Sequence, residues 1–421
     1  MRVAIIGGGI SGLVTGYRLQ KKHDVTLFEA NDYIGGHTNT IDVENDEGHF
    51  AVDTGFIVFN DRTYPNFISL MDELKVPSQP TRMSFSVSCE KTGLEYRGAD
   101  FSGLFAQRRN LFNPRFLKLL LDLVRFNKAG EKLLESEQEN ETVEEFFAKN
   151  QFSSQFVEQY FLPMGAAIWS ASFDTFKKFP IRFIAEFYQN HGLLGVTNRP
   201  QWRVITGGSR QYIAPLTKNW SKNIHTNQPI SGVQRTTNAV TILAKDGKSQ
   251  TFDHVVFACH SDQALKILGE QASNLETEIL SAFPYHPNTA LLHTQESVLP
   301  KNRRAWACWN YFKPKQVSSV ANVTYNMNIL QSLRSKRTFC VTLNDDGRIR
   351  DENILGSYTY MHPTFEIRRK QMQARHKELI NKKQTSFCGA YWGNGFHEDG
   401  VKSAIAVAEQ LDRIETGGEV E

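Results

Sequence analysis

The chain of 421 residues carries 48 Lys and Arg against 45 Asp and Glu, a formal net charge of +3, with 40% hydrophobic and 22% charged residues. At roughly 100–200 residues per domain this length predicts two or three domains, and the composition excludes a collagen, a coiled coil or a disordered tail. So even a charge gives no footing for nucleic acid, and no apolar run approaches the roughly 18 residues of a membrane span. Cys89, Cys259, Cys308, Cys340 and Cys388 are scattered and form no CxxC pair. That spacing argues against a disulfide framework or a zinc site and for a reducing cytoplasm. Phenylalanine occurs 29 times, enough to furnish a large apolar interior or pocket.

Arg2 to Ile6 is a short apolar run of the kind that forms a parallel strand buried on both faces. It runs straight into glycines with no small-residue cleavage site, which sets aside a signal-peptide core. Gly7-Gly8-Gly9-Ile10-Ser11-Gly12 follows and fits GxGxxG on Gly7, Gly9 and Gly12. The first glycine permits a tight turn, the second lets backbone approach a pyrophosphate, and the third lets the helix pack on the strand. A helix through Leu13, Val14, Tyr17 and Leu19 would turn its N–H groups and positive dipole end, near Ser11, toward phosphate. The next strand, Asp24 to Phe28, ends at Glu29, where the fingerprint wants a carboxylate for the ribose hydroxyls. An acid there repels a 2′-phosphate, which disfavours NADP. Gly35-Gly36-His37-Thr38-Asn39-Thr40 then places a second glycine turn near the first, as a cofactor longer than NAD requires.

With Val52-Asp53-Thr54-Gly55-Phe56-Ile57, the sequence resembles the superfamily of FAD-dependent amine oxidases, protoporphyrinogen oxidases and carotenoid desaturases. The likeness runs along the whole chain. Ile205-Thr206-Gly207-Gly208-Ser209 resembles the family's turn that opens a helix under the flavin. Pro229 to Val233 and Val240 to Leu243 read as a strand pair followed by an Asp246-Gly247 turn. Phe252 to Cys259 reads as one strand returning to the nucleotide domain. Phe387 to Gly400 is a glycine-rich turn feeding a helix over Val401 to Leu411. The pattern departs from the family at Ala390, where an acid is usual, and at His37, where Arg is usual. More narrowly, GGHTNT (Gly35 to Thr40), DTGFIVFN (Asp53 to Asn60), PMGAAIWS (Pro163 to Ser170), Trp309-Asn310-Tyr311 and HEDG (His397 to Gly400) resemble bacterial proteins described as predicted NAD/FAD-binding proteins. Members of that group are often encoded near cyclopropane-fatty-acid-synthase-like methyltransferases, which implies an acyl-lipid substrate and a lipid-modifying methyltransferase partner.

The resemblance implies an α/β fold: a Rossmann-like FAD-binding domain over 1–75, 200–280 and 380–421, and a discontinuous α+β substrate domain over 76–199 and 281–379. Within the latter, 101–195 reads helical, and Ala321 to Met327 and Arg337 to Leu343 read as strands of a mixed sheet. The polar end, Glu415 to Glu421, reads as frayed. The implied cofactor is FAD, held non-covalently. Beyond Gly7, Gly9, Ser11, Gly12 and Glu29, the resemblance implies contacts at Ala30, Gly35, Gly36, His37, Thr38, Thr54, Gly55, Phe56, Ile57, Ile230, Gly389, Asp399 and Gly400. His37 reads as a pyrophosphate contact rather than a base.

In a flavoenzyme the cofactor carries the hard chemistry while the protein orients it and excludes water; neither a catalytic triad nor HxxxH spacing occurs here, so no metal is expected. Trp392 and His397 are the candidate catalytic residues, weighed against a packed indole and a backbone-bonded imidazole. Tyr360, His362 and Trp309 to Tyr311 are candidate pocket walls or plain core. Cys388 could tether a flavin, but reads better as a small buried hydrophobe. Arg115, Lys118 and Arg125 lie on a helix, 115–126, whose apolar residues nearly surround it. That helix reads as a roof over the substrate tunnel, the other reading being one that dips into a membrane surface. No second GxGxxG unit is present, so electrons would leave to O2, a quinone or a protein. The expected activity is FAD-dependent removal of hydride from a hydrophobic substrate, fatty-acyl desaturation above all. Redox-neutral isomerisation of an unsaturated lipid, amine or porphyrinogen oxidation, and a non-catalytic flavoprotein partner stay open. The expected location is cytoplasmic, with peripheral contact at the inner membrane face as the variant of it.

Overall fold

Val3, Ala4 and Ile5 are wholly buried, so Arg2–Ile6 runs through the middle of a sheet with both faces covered. In the computed structural model, which describes residues 1–135, 140–169, 172–195, 199–315, 322–364 and 368–415, this sheet has five parallel strands. From edge to edge they are Ile224–His225, Asp24–Phe28, Arg2–Ile6, His254–Phe257 and Thr385–Phe387. The expected strand from Phe252 to Cys259 is broken at Asp253. The Asp253 carboxylate accepts the Arg2 N–H at 2.6 Å, so the chain turns there. Ser249–Phe252 instead joins Ile230–Arg235 and Val240–Ala244 in a three-stranded antiparallel sheet, with the Asp246-Gly247 turn where expected.

The helices Ile10–Leu19 and His397–Glu415 pack together on one face of the parallel sheet. Gly400 lies at their contact, where a Cβ would stand 2.9 Å from both Ile10 Cγ2 and Ser11 Oγ. The last helix starts four residues before the expected Val401. The Asp399 carboxylate reaches back to the Phe396 N–H at 3.0 Å and closes the first turn. Residues 416–421, most of the end expected to fray, lie outside the described residues.

The second layer is a seven-stranded sheet. Its order is Ile354–Pro363, Tyr285–His293, Cys340–Leu343, Asn322–Asn326, Trp309–Lys313, Phe85–Cys89 and Leu94–Arg97. All pairs are antiparallel except Trp309–Lys313 with Phe85–Cys89. The strand expected over Arg337 to Leu343 begins only at Cys340. That expected over Ala321 to Met327 covers Asn322–Asn326, with Ala321 outside the described residues. Helices between Phe101 and Asn190 cover this sheet, and their core explains the phenylalanine content. Phe126, fully buried, stands within 6.3 Å of the rings of Phe146, Phe147, Phe152, Phe156, Phe161 and Tyr188, mostly edge to face.

The two layers are tied by Asp53, which is fully buried. One carboxylate oxygen accepts the Thr40 hydroxyl at 2.6 Å and both the N–H and hydroxyl of Ser209 at 2.9 Å. The other accepts Gln331 Nε2 at 2.9 Å. Burial pushes this carboxyl up to about 6 while the hydrogen bonds pull the other way, so at neutral pH it is ionised and accepting. Asp53→Ala leaves four donors without an acceptor and should lower unfolding stability by roughly 3 kcal/mol or more. Asp53→Asn keeps part of the acceptor set and should cost less. Urea denaturation of both variants checks the order.

Candidate flavin site

The turn after Arg2–Ile6 brings the glycines together by backbone contact. A Cβ on Gly12 would lie 2.0 Å from the Gly7 carbonyl oxygen, and one on Gly36 would lie 3.2 Å from Gly9 Cα. Gly35 donates its N–H to the Gly8 carbonyl at 2.7 Å, which locks the second turn against the first. Gly9 is different, since a Cβ there meets nothing within 4 Å. It is also the N-cap of Ile10–Leu19, a helix start with no side-chain cap and no acid in its first turn. Free space thus opens in front of unanswered N–H groups, a site suited to an anionic diphosphate. Glu29 ends the second strand beside this turn, accepting the Gly8 N–H at 2.6 Å and both nitrogens of Asn31.

Beyond the cradle lies a buried knot of rings and hydroxyls. His397 stacks on Phe56, centroids 3.6 Å apart, with Phe67 edge-on at 6.0 Å. Its Nε2 meets the Thr38 hydroxyl at 3.0 Å and the Tyr212 hydroxyl at 3.3 Å, and the two hydroxyls bond each other. Burial, with a smaller contribution from His37, holds the His397 imidazole well below its ordinary range, so it is neutral at physiological pH. The neighbouring Glu398 accepts the backbone N–H of Asn66 at 3.1 Å and of Phe67 at 2.9 Å, which caps the helix Pro65–Leu74. The last helix is thereby fixed to the floor of the site.

On the side of the seven-stranded sheet, Thr54 bonds the Tyr360 hydroxyl at 2.7 Å, and Asn39 donates to it at 3.0 Å. The His37 ring lies 5.0 Å from Tyr360 and 5.2 Å from His362. Asn288 donates to His362 Nδ1 at 2.9 Å, and His260 stacks on Tyr285 at 4.2 Å. All three histidines are half-buried. Burial, reinforced by the neighbouring imidazoles, lowers His37 and His260 to about 4 and His362 to about 3. At neutral pH this wall carries no charge.

A family model described as flavin containing amine oxidoreductase matches residues 10–303 of this sequence. The chain belongs to that family. It is a flavin oxidoreductase, and its cofactor is FAD. The 1-hydroxycarotenoid 3,4-desaturase of Flavobacterium sp. (strain P99-3) is 35% identical over 96 residues, a stretch covering 23% of this chain and only 18% of that protein. Cyclohexylamine oxidase from Brevibacterium oxydans IH-35A shares the fold at a TM-score of 0.69 and 17% identity, over 98% of this chain and 99% of that one. A CLA-producing fatty acid isomerase from P. acnes superposes with a TM-score of 0.66 at 16% identity, over 98% of each chain. Flavin chemistry is hydride acceptance and return. The residues present fit FAD: the open space before Gly9 and the uncapped N–H groups after it would hold a diphosphate, and Glu29 would stand on the ribose side.

The structure brings Gly7, Gly9, Ser11, Gly12, Glu29, Gly35 and Gly36 into the cradle, with Gly400 behind Ser11. His37, Thr38, Thr54, Gly55, Phe56 and His397 lie beyond it, and a Cβ on Gly55 would stand 2.2 Å from the His37 carbonyl oxygen. Exposed Ala30 follows Glu29, and Ile230 packs with Phe28 at the same strand end. Ile57 points into the core of the seven-stranded sheet. Asp399, pushed up to about 6 by burial, closes the last helix, while Gly389 is bonded to Ser403. Trp392 stacks on His376 at 4.1 Å and lies edge-on to Phe283, in a packing group other than that of His397. Cys388 is fully buried, and burial pushes its thiol up to about 12, so it is an inert hydrophobe. No group of three or more His, Cys, Asp or Glu among the described residues could hold a metal.

Sequence reasoning missed Tyr212, Asn288 and His260. Only His260 carried a signal: it follows the carboxyl end of a parallel strand, where ligands gather in open α/β sheets. Gly9 has extended backbone that any residue adopts and open space before it. Gly9→Val should therefore fold normally by circular dichroism yet retain less than a tenth of the flavin, whereas Gly12→Val should fail to accumulate as folded protein. The imidazoles give a pH test. Their folded pKa values lie below the ordinary 6.5, so the unfolded chain binds more protons between pH 6.5 and about 4. Their contribution is intact above pH 6.5 and is lost as pH falls toward 4. The stability advantage of the native chain over His362→Asn should shrink across that window in paired thermal melts.

Proposed function

We propose that this flavoenzyme removes hydride from a hydrophobic acyl chain and leaves a carbon–carbon double bond. The observation that carries the reading is the position of Phe396. It stacks on Phe187 of the phenylalanine-rich helical layer at 5.5 Å, and it immediately precedes His397, which stacks on Phe56 in the cofactor knot. Phe396 thus packs against both the phenylalanine-rich core and the core beneath the flavin site, and joins the two by apolar contact beside His191. The imidazoles of His37 and His362 are neutral, so neither presents an uncharged chain with a cation.

Bound FAD would supply the hydride acceptor; as one C–H bond gives up its hydride, the adjacent carbon would lose a proton to a neutral imidazole of the wall, and a π bond would join the two carbons. The chain's own residues hold the substrate against aromatic walls, keep water out, and offer imidazole lone pairs left open at neutral pH. The electrons pass on to dioxygen or a quinone. Anaerobic titration of the holoprotein with acyl lipids should bleach its visible flavin absorption, and titration with primary amines should not. Bleaching by amines alone would overturn the reading. A double bond that moves within the lipid, with no acceptor reduced in turnover, would mean isomerisation instead.

A further inference from the structure

Among the described residues, seven large hydrophobic side chains are exposed, and five of them, Phe101, Phe112, Leu117, Leu121 and Val124, fall in one short stretch. The helix Pro114–Glu135 explains the grouping. Phe116, Leu119, Phe126 and Leu133 point inward, and Leu117, Leu121 and Val124, spaced by four and three residues, form a stripe on the opposite side. Phe112, 86% exposed, stands just before the helix. Phe101 lies beside the same end: its ring contacts Phe105 at 4.8 Å, and Phe105 contacts Phe116 at 5.9 Å. The sequence reading of this helix as a roof buried on its apolar side accounts for the inner face only.

The stretch is also strongly basic. From Phe101 to Lys128 it holds Arg108, Arg109, Arg115, Lys118, Arg125 and Lys128 against Asp122 alone, a net charge of 6 − 1 = +5 beside +3 for the whole chain. Lys118 and Arg125 are both held by Asp122, at 2.9 and 2.6 Å. Burial pushes that carboxyl up, but bonds from Ser153, Lys118 and Arg125 together carry it well below the carboxylate range, so the acid stays ionised. Arg108, Arg109 and Arg115 are exposed at or before the N-terminal end of the helix, and exposed Lys128 continues the line of Leu121 and Val124, with exposed Glu131 and Glu135 beyond it toward the C-terminal end. A second protein could cover an apolar stripe alone, but apolar side chains with an excess of cations at one end (Arg108, Arg109 and Arg115) and Lys128 in line with the stripe match the acyl boundary and anionic headgroups of a lipid bilayer. No described helix is long and apolar enough to cross a membrane, so the match is to the interface plane.

We infer that the face formed by Phe101, Phe112 and the outer stripe of Pro114–Glu135 docks this enzyme on an anionic bilayer surface. The inference rests on exposure and charge and does not depend on the acyl-lipid reading. Holoprotein is mixed with extruded vesicles of phosphatidylglycerol and phosphatidylcholine in equal parts, or of phosphatidylcholine alone, and sedimented. Binding should be seen with the anionic vesicles, fall with added salt, and be weak on phosphatidylcholine. The pair Phe112→Ser with Leu121→Asn should reduce binding more than tenfold, and Lys128→Ala about fivefold. These side chains are exposed, and unchanged flavin absorption and far-ultraviolet dichroism confirm the fold. No sedimentation with anionic vesicles at low salt, or undiminished binding by the double variant, overturns the inference. So does a concentration-dependent dimer in light scattering that the same pair abolishes, since the face would then be taken by a second copy. Flavin bleaching without vesicle binding would sink the docking alone, and the converse the substrate alone.

Discussion

Everything around the cofactor depends on one buried carboxylate. Asp53 accepts hydrogen bonds from Thr40, Ser209 and Gln331, three segments that come from the second glycine element, the turn before a short helix, and the loop between two strands of the large sheet. An acid without solvent is costly unless donors surround it, and this one has them only when all three segments are in place. The requirement is mutual, because the Ser209 N–H and the Gln331 amide are buried too. The position of the large sheet relative to the nucleotide turn is therefore set by polar satisfaction, while apolar contact fills the remaining volume.

The imidazoles between the layers are all neutral at physiological pH. His37, His260, His362 and His397 all sit where desolvation outweighs proton binding. The negative charge of a diphosphate would be met by the N–H groups at the start of the first helix, which has no side-chain cap. That division keeps the reacting region at low dielectric, where fixed dipoles act more strongly than in water.

The cofactor half of the molecule was legible because each of its residue types has a local physical cause. Gly7, Gly9 and Gly12 mark backbone approach and Glu29 ends a strand, all within a short window of sequence, whereas Gly400, implied by the resemblance, owes its role to the distant Ile10 and Ser11. Trp392 and His397 show where legibility stopped. Five residues apart in one loop, they enter different packing groups, Trp392 with His376 and His397 with Phe56, and no local pattern encodes which partner a ring will find. The break at Asp253 is of the same kind, since the apolar run continues through it and only the distant Arg2 N–H explains the turn. The stripe on Pro114–Glu135 was obscured because apolar residues occur on every side of that helix, and only the packing of Phe116 and Phe126 reveals which are left outside.

The order of strands in the parallel sheet has a consequence for how the protein is made. Its first two strands leave the ribosome almost at once, the third and fourth only after more than half the chain, and Thr385–Phe387 near the end. Until then Val3, Ala4 and Ile5 have no complete sheet to sit in. The nascent chain must carry an open apolar edge through nearly the whole of its synthesis, and chaperone capture or early flavin association is the protection such an edge calls for.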